Sequence, residues 1–417
     1  MNDRVILHCD MNNFYASVEC MKEPKLNSLP VAVCGDAEER HGIVLAKNYI
    51  AKSYGVKTAE TIWQAKNKCP GLIIIPPDFR EYLKISKKAM KIYQRYTDMV
   101  EPFGLDECWL DVTGSIRLFG SGEVIGHKIR ESIKKELGLT VSVGVSFNKI
   151  FAKLGSDMKK PDALTVISRE NFKDKVWSLP VGDLLGVGRK TGEKLVARGI
   201  RTIGQLAQFP ESGAVDLLGK CGRDIWRHAN GIDDGPVISK DFYLPDKSLG
   251  HGMTLRRDLV NSGEVWCTML ELCQDIGSRL YSYKKRAKGV SVSVKSSDMT
   301  SRQWQKQFNF GMQSPYLIAK EGFSLFESRY DWALPVRAVS VTAINLCNEE
   351  DDIQLDIFNF SNEKILKIDK AVERLRDRYG NTVIRNGCLV NNDVITNRDV
   401  LDGENSAFAH IKCKLRG

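Results

Sequence analysis

Residues 101–115 read EPFGLDECWLDVTGS, and this stretch decides the fold. Cys108, Leu110 and Val112 alternate with Trp109 and Asp111, the period of two that a β-strand imposes. A strand is therefore predicted here, with Phe103-Gly104-Leu105-Asp106-Glu107 in a hairpin at its start. Asp106 and Glu107 are adjacent carboxylates. In a regular strand neighbouring side chains point to opposite faces, so only a bend brings these two together. Two like charges that close repel, and one is normally neutralised unless a cation shares them. A lone Asp-Glu pair is weak evidence, because such pairs are common on surfaces.

Working outward, residues 5–9 (VILHC) form a near-continuous apolar run that suits a strand buried on both faces and ending at Asp10. The carboxyl end of a central strand is where open α/β sheets place ligands; the plainer reading of Asp10 is an Asx turn or a helix cap. Joined to Asp106 and Glu107, Asp10 would complete a set of three carboxylates able to hold two Mg²⁺ ions. Such ions clamp the attacking and leaving oxygens of a phosphoryl transfer.

Strands are expected at 29–35, 42–46 and within TVSVGVS (140–146), and short helices at 48–57 and 62–68. Tyr82, Ile85, Ala89, Ile92 and Tyr96 fall on one face of a predicted helix over 79–98, and another helix follows from Asn148 to about Asp157. Residues 172–231 read as short helices with glycine turns, and 233–247 as a polar linker. Beyond it, alternation at Val290, Val292, Val294 and at Val339, Val341, Ala343, with a helix over 263–284, suggests a small α+β domain. An acidic stretch begins at Glu349, and helical spacing returns at Ile365, Ile368, Val372 and Leu375.

The 417 residues suffice for several domains without disulfide staples. Apolar residues are 42% and charged residues 27%, which excludes global disorder. No apolar run is long enough to span a membrane, and MNDRVILHCDMNN has no signal-peptide core, so a cytoplasmic location is expected. The eleven cysteines are scattered, without C-x-x-C, and read as free and mostly buried thiols. The net charge of +9 is mild, but Arg279–Lys295 holds six basic residues and no acidic one. That run is either a solvated face or a polyanion contact.

CDMNNFYASVE, LAKNYIAKSYGVK, FGLDECWLDVTGS and SVGVSFNKIFAKLGSDMKKPDAL occur in this order and together resemble the Y-family translesion DNA polymerases, close to the bacterial DNA polymerase IV group. The resemblance covers about residues 4–350. It implies an α/β and α+β multidomain, right-hand fold. The palm would be 1–10 and 78–168, the fingers 11–77 and a helix-hairpin-helix thumb 169–236. A linker (237–246), a little finger (247–348) and a tail (349–417) would follow.

The resemblance makes Asp10, Asp106 and Glu107 the catalytic metal ligands, with Met11 lending a backbone carbonyl, and implies two Mg²⁺ ions. It makes Phe14-Tyr15 the aromatic pair, Tyr15 being the steric gate against a 2′-hydroxyl; without it, two core aromatics would be the better reading. Tyr49, Lys52 and Lys160 match triphosphate contacts. Lys52 stands where arginine is usual, which loses bidentate phosphate binding. Ala163 and Gly104-Leu105 also depart from the common pattern, without touching a carboxylate. Gly186-Val187-Gly188 reads as a hairpin that lets duplex DNA approach the backbone. Arg256 and Arg257, in LGHGMTLRRDL, match template-phosphate contacts, and the 279–295 run is assigned to the same role. Gln354, Leu355, Ile357 and Phe358, in QLDIF, resemble a sliding-clamp-binding peptide; an edge strand is the alternative.

The implied partners are primer-template DNA, deoxynucleoside triphosphates and the replication clamp. The protein is expected to act as a monomer with no membrane and no proofreading domain. Two rivals stay open: a nucleotide cyclase, which needs neither helix-hairpin-helix nor little finger, and a non-catalytic DNA-bound or clamp-recruited scaffold, which would not need all three acids.

Overall fold

Ile6 to Met11 are buried at every position, and they form the middle strand of a five-stranded sheet. The structure, a computed structural model, describes residues 4–36, 42–239, 246–350, 360–380 and 383–389. The chain divides into two units, Met1–Cys34 with Ile43–Tyr243 and, for the most part, Leu244–Gly417.

The first unit contains β1 (Ile6–Met11), β2 (Val31–Cys34), β3 (Val44–Lys47), β4 (Ile73–Ile75), β5 (Val100–Pro102), β6 (Glu107–Asp111), β7 (Val141–Ser146) and β8 (Leu164–Ile167). The main sheet runs β5-β6-β1-β7-β8, and only β7 and β8 are parallel neighbours. Leu7, Val143 and Val145 face helix Gly122–Leu137. Its glycines at 122 and 126 let it lie close, since a Cβ at Gly122 would stand 2.5 Å from Val5. The opposite face carries helix Lys149–Met158, capped by the Asn148 side chain on the Phe151 N–H (2.8 Å). Here Gly144 is obligatory: a Cβ would lie 1.9 Å from the Ala152 carbonyl oxygen, so only glycine lets this helix settle onto β7.

A second sheet, β3-β2-β4, holds the segment between Val31 and Ile75 around Val44, Ala51, Val56 and Ala65. Residues 172–229 are short helices packed about Leu184, Leu195, Ile203, Leu206 and Ile225.

The second unit has β9 (Ser248–Leu259), β10 (Lys285–Ser296), β11 (Ser301–Met312) and β12 (Val336–Asn348) in the order β11-β10-β12-β9, all antiparallel. Helices Ser262–Ser282 and Pro315–Glu327 join Val290, Val292, Val339 and Val341 in one core.

The α/β and α+β architecture expected from the sequence is the one observed, and most predicted elements fall within a few residues of their places. Four corrections stand out. The helix expected over 79–98 ends at Tyr93, because Thr97 turns back and donates to the Asp111 carbonyl (2.7 Å). Helices Gly122–Leu137 and Pro315–Glu327 and strands β4, β8, β9 and β11 were not anticipated. The polar stretch after Gly231 has no regular structure up to residue 239, yet it is docked: Val237 is buried with Ile6 and Trp109, and Arg4 donates to the carbonyls of Asp233 and Gly235. Finally, the 279–295 run is not a single exposed face, since Arg279 is buried and paired with Asp275.

Candidate active site

β1 and β6 pair with Asp10 directly opposite Glu107 and His8 opposite Trp109. Opposed residues of an antiparallel pair share a face, so both carboxylates and the His8 ring project toward helix Lys149–Met158. Asp106 sits one residue earlier, in the hairpin that closes when the Phe103 N–H donates to the Glu107 carbonyl (2.8 Å). The Met11 N–H donates to the Asp106 carbonyl (2.9 Å), which pins the hairpin to the end of β1. Asp10, Met11, Asp106 and Glu107 line one pocket, together with Phe14, Tyr15 and Lys160. The bend supplies the convergence that a straight strand forbids.

Three carboxyls this close are not equally ionised. Burial, then the charges of Glu107 and Asp10, push Asp106 up to about 7. Burial and Glu107 likewise push Asp10 up to about 6, although Lys160 bonds its Oδ2 at 2.7 Å. Burial also opposes ionisation of Glu107, but the His8 ring and the Lys153 ammonium outweigh it and hold that carboxyl at about 2. Lys153 Nζ is 2.7 Å from Glu107 Oε2, and fully buried His8 places Nε2 3.4 Å from the same oxygen. His8 Nδ1 lies 2.8 Å from the Ser156 hydroxyl, and that hydroxyl donates to the Lys153 carbonyl (2.7 Å). Strand, helix and carboxylate are thereby locked together. Burial lowers the pKa of His8 against the pull of the neighbouring Glu107 carboxylate.

No three of these acids adopt metal-ligand geometry among the described residues; lysines occupy Asp10 and Glu107 instead. The donor set nevertheless suits a hard divalent cation. It is all oxygen, it is crowded with like charge, and burial and mutual repulsion raise two of its carboxyls, Asp10 and Asp106, to about 6 and about 7.

The other wall begins at Asn13, whose left-handed backbone (φ 48°) turns β1 into helix Phe14–Lys22. Phe14 is buried, while Tyr15 is partly exposed in the pocket. Tyr82 stacks on the Tyr15 ring (centroids 4.4 Å, 12° between planes), and its hydroxyl donates to Glu19 (2.7 Å). Phe79 meets Tyr15 edge-on, so the ring is held from two sides.

Lys160 lines the pocket as expected, whereas Tyr49 and Lys52 are not among its lining residues; Lys52 lies over the Tyr49 ring at 5.6 Å. The nearer cation is Lys47, which donates to Thr58 (2.7 Å), and both line the pocket. Burial and the Lys52 charge lower the pKa of Lys47, so these ammonium groups crowd each other where an anion would relieve them.

Among the short helices after residue 172, Gly186 has φ +96°, which favours glycine, and Gly188 caps helix Arg189–Ala197 with open space where a Cβ would be. Arg256 and Arg257 are exposed on β9, with Arg257 paired to Glu264 (2.7 Å). Gln354, Leu355, Ile357 and Phe358 lie outside the described residues. The ten cysteines described are free, six of them buried, and Cys221 and Cys388 are exposed. No helix among the described residues is long and apolar enough to cross a membrane.

The residues missed from sequence are His8, Lys47, Thr58, Tyr82 and Lys153. His8 carried a signal, since it is two residues before Asp10 and must share its face of the strand.

The fold matches a solved Dbh–Dpo4 Y-family DNA polymerase chimera with a TM-score of 0.73, covering 82% of this chain and 99% of the other at 24% identity. The impB/mucB/samB family matches residues 9–157, its C-terminal domain residues 246–357, and the IMS family HHH motif residues 169–200. The chain therefore belongs to this family, the Y-family DNA polymerases. Among its relatives, "DNA polymerase IV" of Acetivibrio thermocellus is 48% identical over 93% of this chain and 98% of its own. "DNA polymerase IV 1" of Bacillus subtilis is 37% identical over 93% of each.

Proposed function

We propose that this chain is a template-directed DNA polymerase of the translesion type, extending a primer 3′ end with deoxynucleotides during DNA damage tolerance. The observation that carries the reading is a single pocket with Asp10, Asp106 and Glu107 beside a clamped Tyr15 and the cations Lys47 and Lys160. Two Mg²⁺ ions, held by the three carboxylates and the Met11 carbonyl, would neutralise charge on the attacking and leaving oxygens. The primer 3′-oxygen bonds to the α-phosphorus, the bond from that phosphorus to the bridging oxygen breaks, and pyrophosphate leaves; the hydroxyl proton passes to solvent. Lys160 and Lys47, with Tyr49 and Lys52 further along the same segment, orient the triphosphate, and Lys153 keeps Glu107 ionised. Tyr15 presents its ring to the sugar and excludes a 2′-hydroxyl. Ala46 and Thr58 give the fingers wall little bulk, so a distorted base pair meets little steric checking, which fits low fidelity.

In this reading the palm is 1–10 with 78–168, the fingers 11–77, the thumb 169–236 and the little finger 247–348. Gly186-Val187-Gly188, Arg256 and Arg257 bear on the DNA backbone without reading sequence. The 354–358 peptide recruits the monomeric enzyme to the sliding clamp in the cytoplasm. Primer extension with Mg²⁺ and deoxynucleotides on a primed template tests the core of this: template-dependent extension is expected from the wild type and none from Asp106→Ala. Formation of a cyclic nucleotide, or extension by Asp106→Ala, would overturn it.

A further inference from the structure

Trp63 is 72% exposed, on the surface of helix Ile62–Lys68. Ile62 and Ala65 turn inward, while Trp63, Lys66 and Asn67, at i, i+3 and i+4, make one outward face. Leaving an indole in water forgoes a large burial gain. The segment is basic: residues 47–70 contain five lysines and one acid, Glu60, already bonded to Lys68, and Lys66 shares the outward face with Trp63.

This face is tied rigidly to the active site. The 59–61 loop pairs with β3 through Ala59 N–H to the Val44 carbonyl (2.8 Å) and Val44 N–H to the Glu60 carbonyl (2.9 Å). Thr61 then caps the helix in a capping box, two residues before Trp63. On the inner side, Leu45, Ala46, Lys47 and Thr58 of the same β3–loop pair line the catalytic pocket.

We propose that the Trp63 face is a stacking platform for the unpaired template strand just 5′ of the templating base. An exposed aromatic ring among lysines is how proteins hold single-stranded nucleic acid without reading its sequence: the ring takes a base and the cations take the phosphates. The positive balance of the segment selects a polyanion over an apolar protein partner, and the platform adjoins the wall where the templating base must sit. The inference rests on the polymerase reading and adds a residue that the catalytic pocket does not contain.

The test measures dissociation constants, by anisotropy of a labelled primer, for primer-templates with a one-nucleotide or a twelve-nucleotide 5′ template overhang. The readout is the ratio between the two. In the wild type the long overhang binds more tightly. Trp63→Ala is expected to reduce that advantage by about 5- to 100-fold, the range for removal of one base–aromatic stack, while Trp63→Phe retains most of it. An unchanged ratio in Trp63→Ala, or an equal loss on both substrates, overturns the platform. So does a loss confined to stimulation by added sliding clamp, which would make the occupant a protein. Failure of the wild type to bind either substrate would instead remove the polymerase reading itself.

Discussion

Replacing Asp106 with Asn keeps the size of the side chain and removes its charge. The Asp106 carboxyl is pushed from 3.8 to about 7, so in metal-free protein above pH 7 it is ionised at a cost set by that rise. About 3 pKa units at about 1.4 kcal/mol each gives a ceiling of about 4 kcal/mol. The amide is itself buried and takes part of that back, leaving an expected gain of about 1–3 kcal/mol for Asp106→Asn at pH 8. The sign follows from linkage. A raised carboxyl pKa costs the folded state nothing below the unfolded value and the full amount above the folded one, so the gain is complete above pH 7, fades between pH 7 and 4, and is absent at pH 4. Thermal unfolding in EDTA at pH 8 and pH 4 reads this directly, as a rise in Tm of about 2–10 °C at the higher pH only. Extension falls by more than about 10³-fold, roughly 4 kcal/mol of barrier. A variant that is less stable than wild type at pH 8 in EDTA, or that still extends primers, would refute the view that three crowded carboxyls await a cation.

The remaining expectations concern the walls of the site and the tail. Tyr15→Ala raises the ratio of ribonucleotide to deoxynucleotide incorporation; an unchanged ratio would show that the ring on Tyr82 is merely a core aromatic. Divalent-cation affinity, measured by calorimetry, weakens as pH falls through 7 to 5, because protons compete for Asp106 and Asp10, whose pKa values stand at about 7 and about 6; a flat profile counts against these residues as ligands. Gly144→Ala forces the Lys153 helix off β7 and costs about 1–3 kcal/mol or more in chemical denaturation, together with extension activity. Changing Leu355 and Phe358 to Ala leaves distributive extension intact and removes stimulation by added clamp; continued stimulation would place the clamp peptide elsewhere.

Much of this site was legible because it is built on strands. The apolar run before Asp10 and the alternation after Glu107 each named a strand, and the period of two meant that Asp106 and Glu107 could converge only at a bend. What stayed hidden depends on partners far apart in sequence. Lys153 meets Glu107 across 46 positions and Arg4 meets Gly235 across 231, and no local pattern marks either. Helix Gly122–Leu137 carries a signal in Ile125, Ile129, Ile133 and Leu137, but Gly122 and Gly126 weaken it, since glycine is a poor helix former. The structure shows both to be contact points against Val5 and Leu164, a use of glycine that only the packed state displays. The same limit applies to Lys47 and Thr58: the three-residue spacing of Tyr49 and Lys52 gives one helix face, but no spacing shows that Lys47 and Thr58 line the pocket.

Asp10 faces Glu107 because β1 and β6 pair in one register, and the side-chain period of a strand is two. A slip of one residue would turn Cys9 and Leu7 toward helix Lys149–Met158 and send Asp10 and His8 under helix Gly122–Leu137, with every backbone hydrogen bond of the ladder still available. Such a protein would have the spectrum of a folded sheet and no chemistry. The fraction of molecules that turn over in a refolded sample is therefore a census of strand alignment, taken by the substrate.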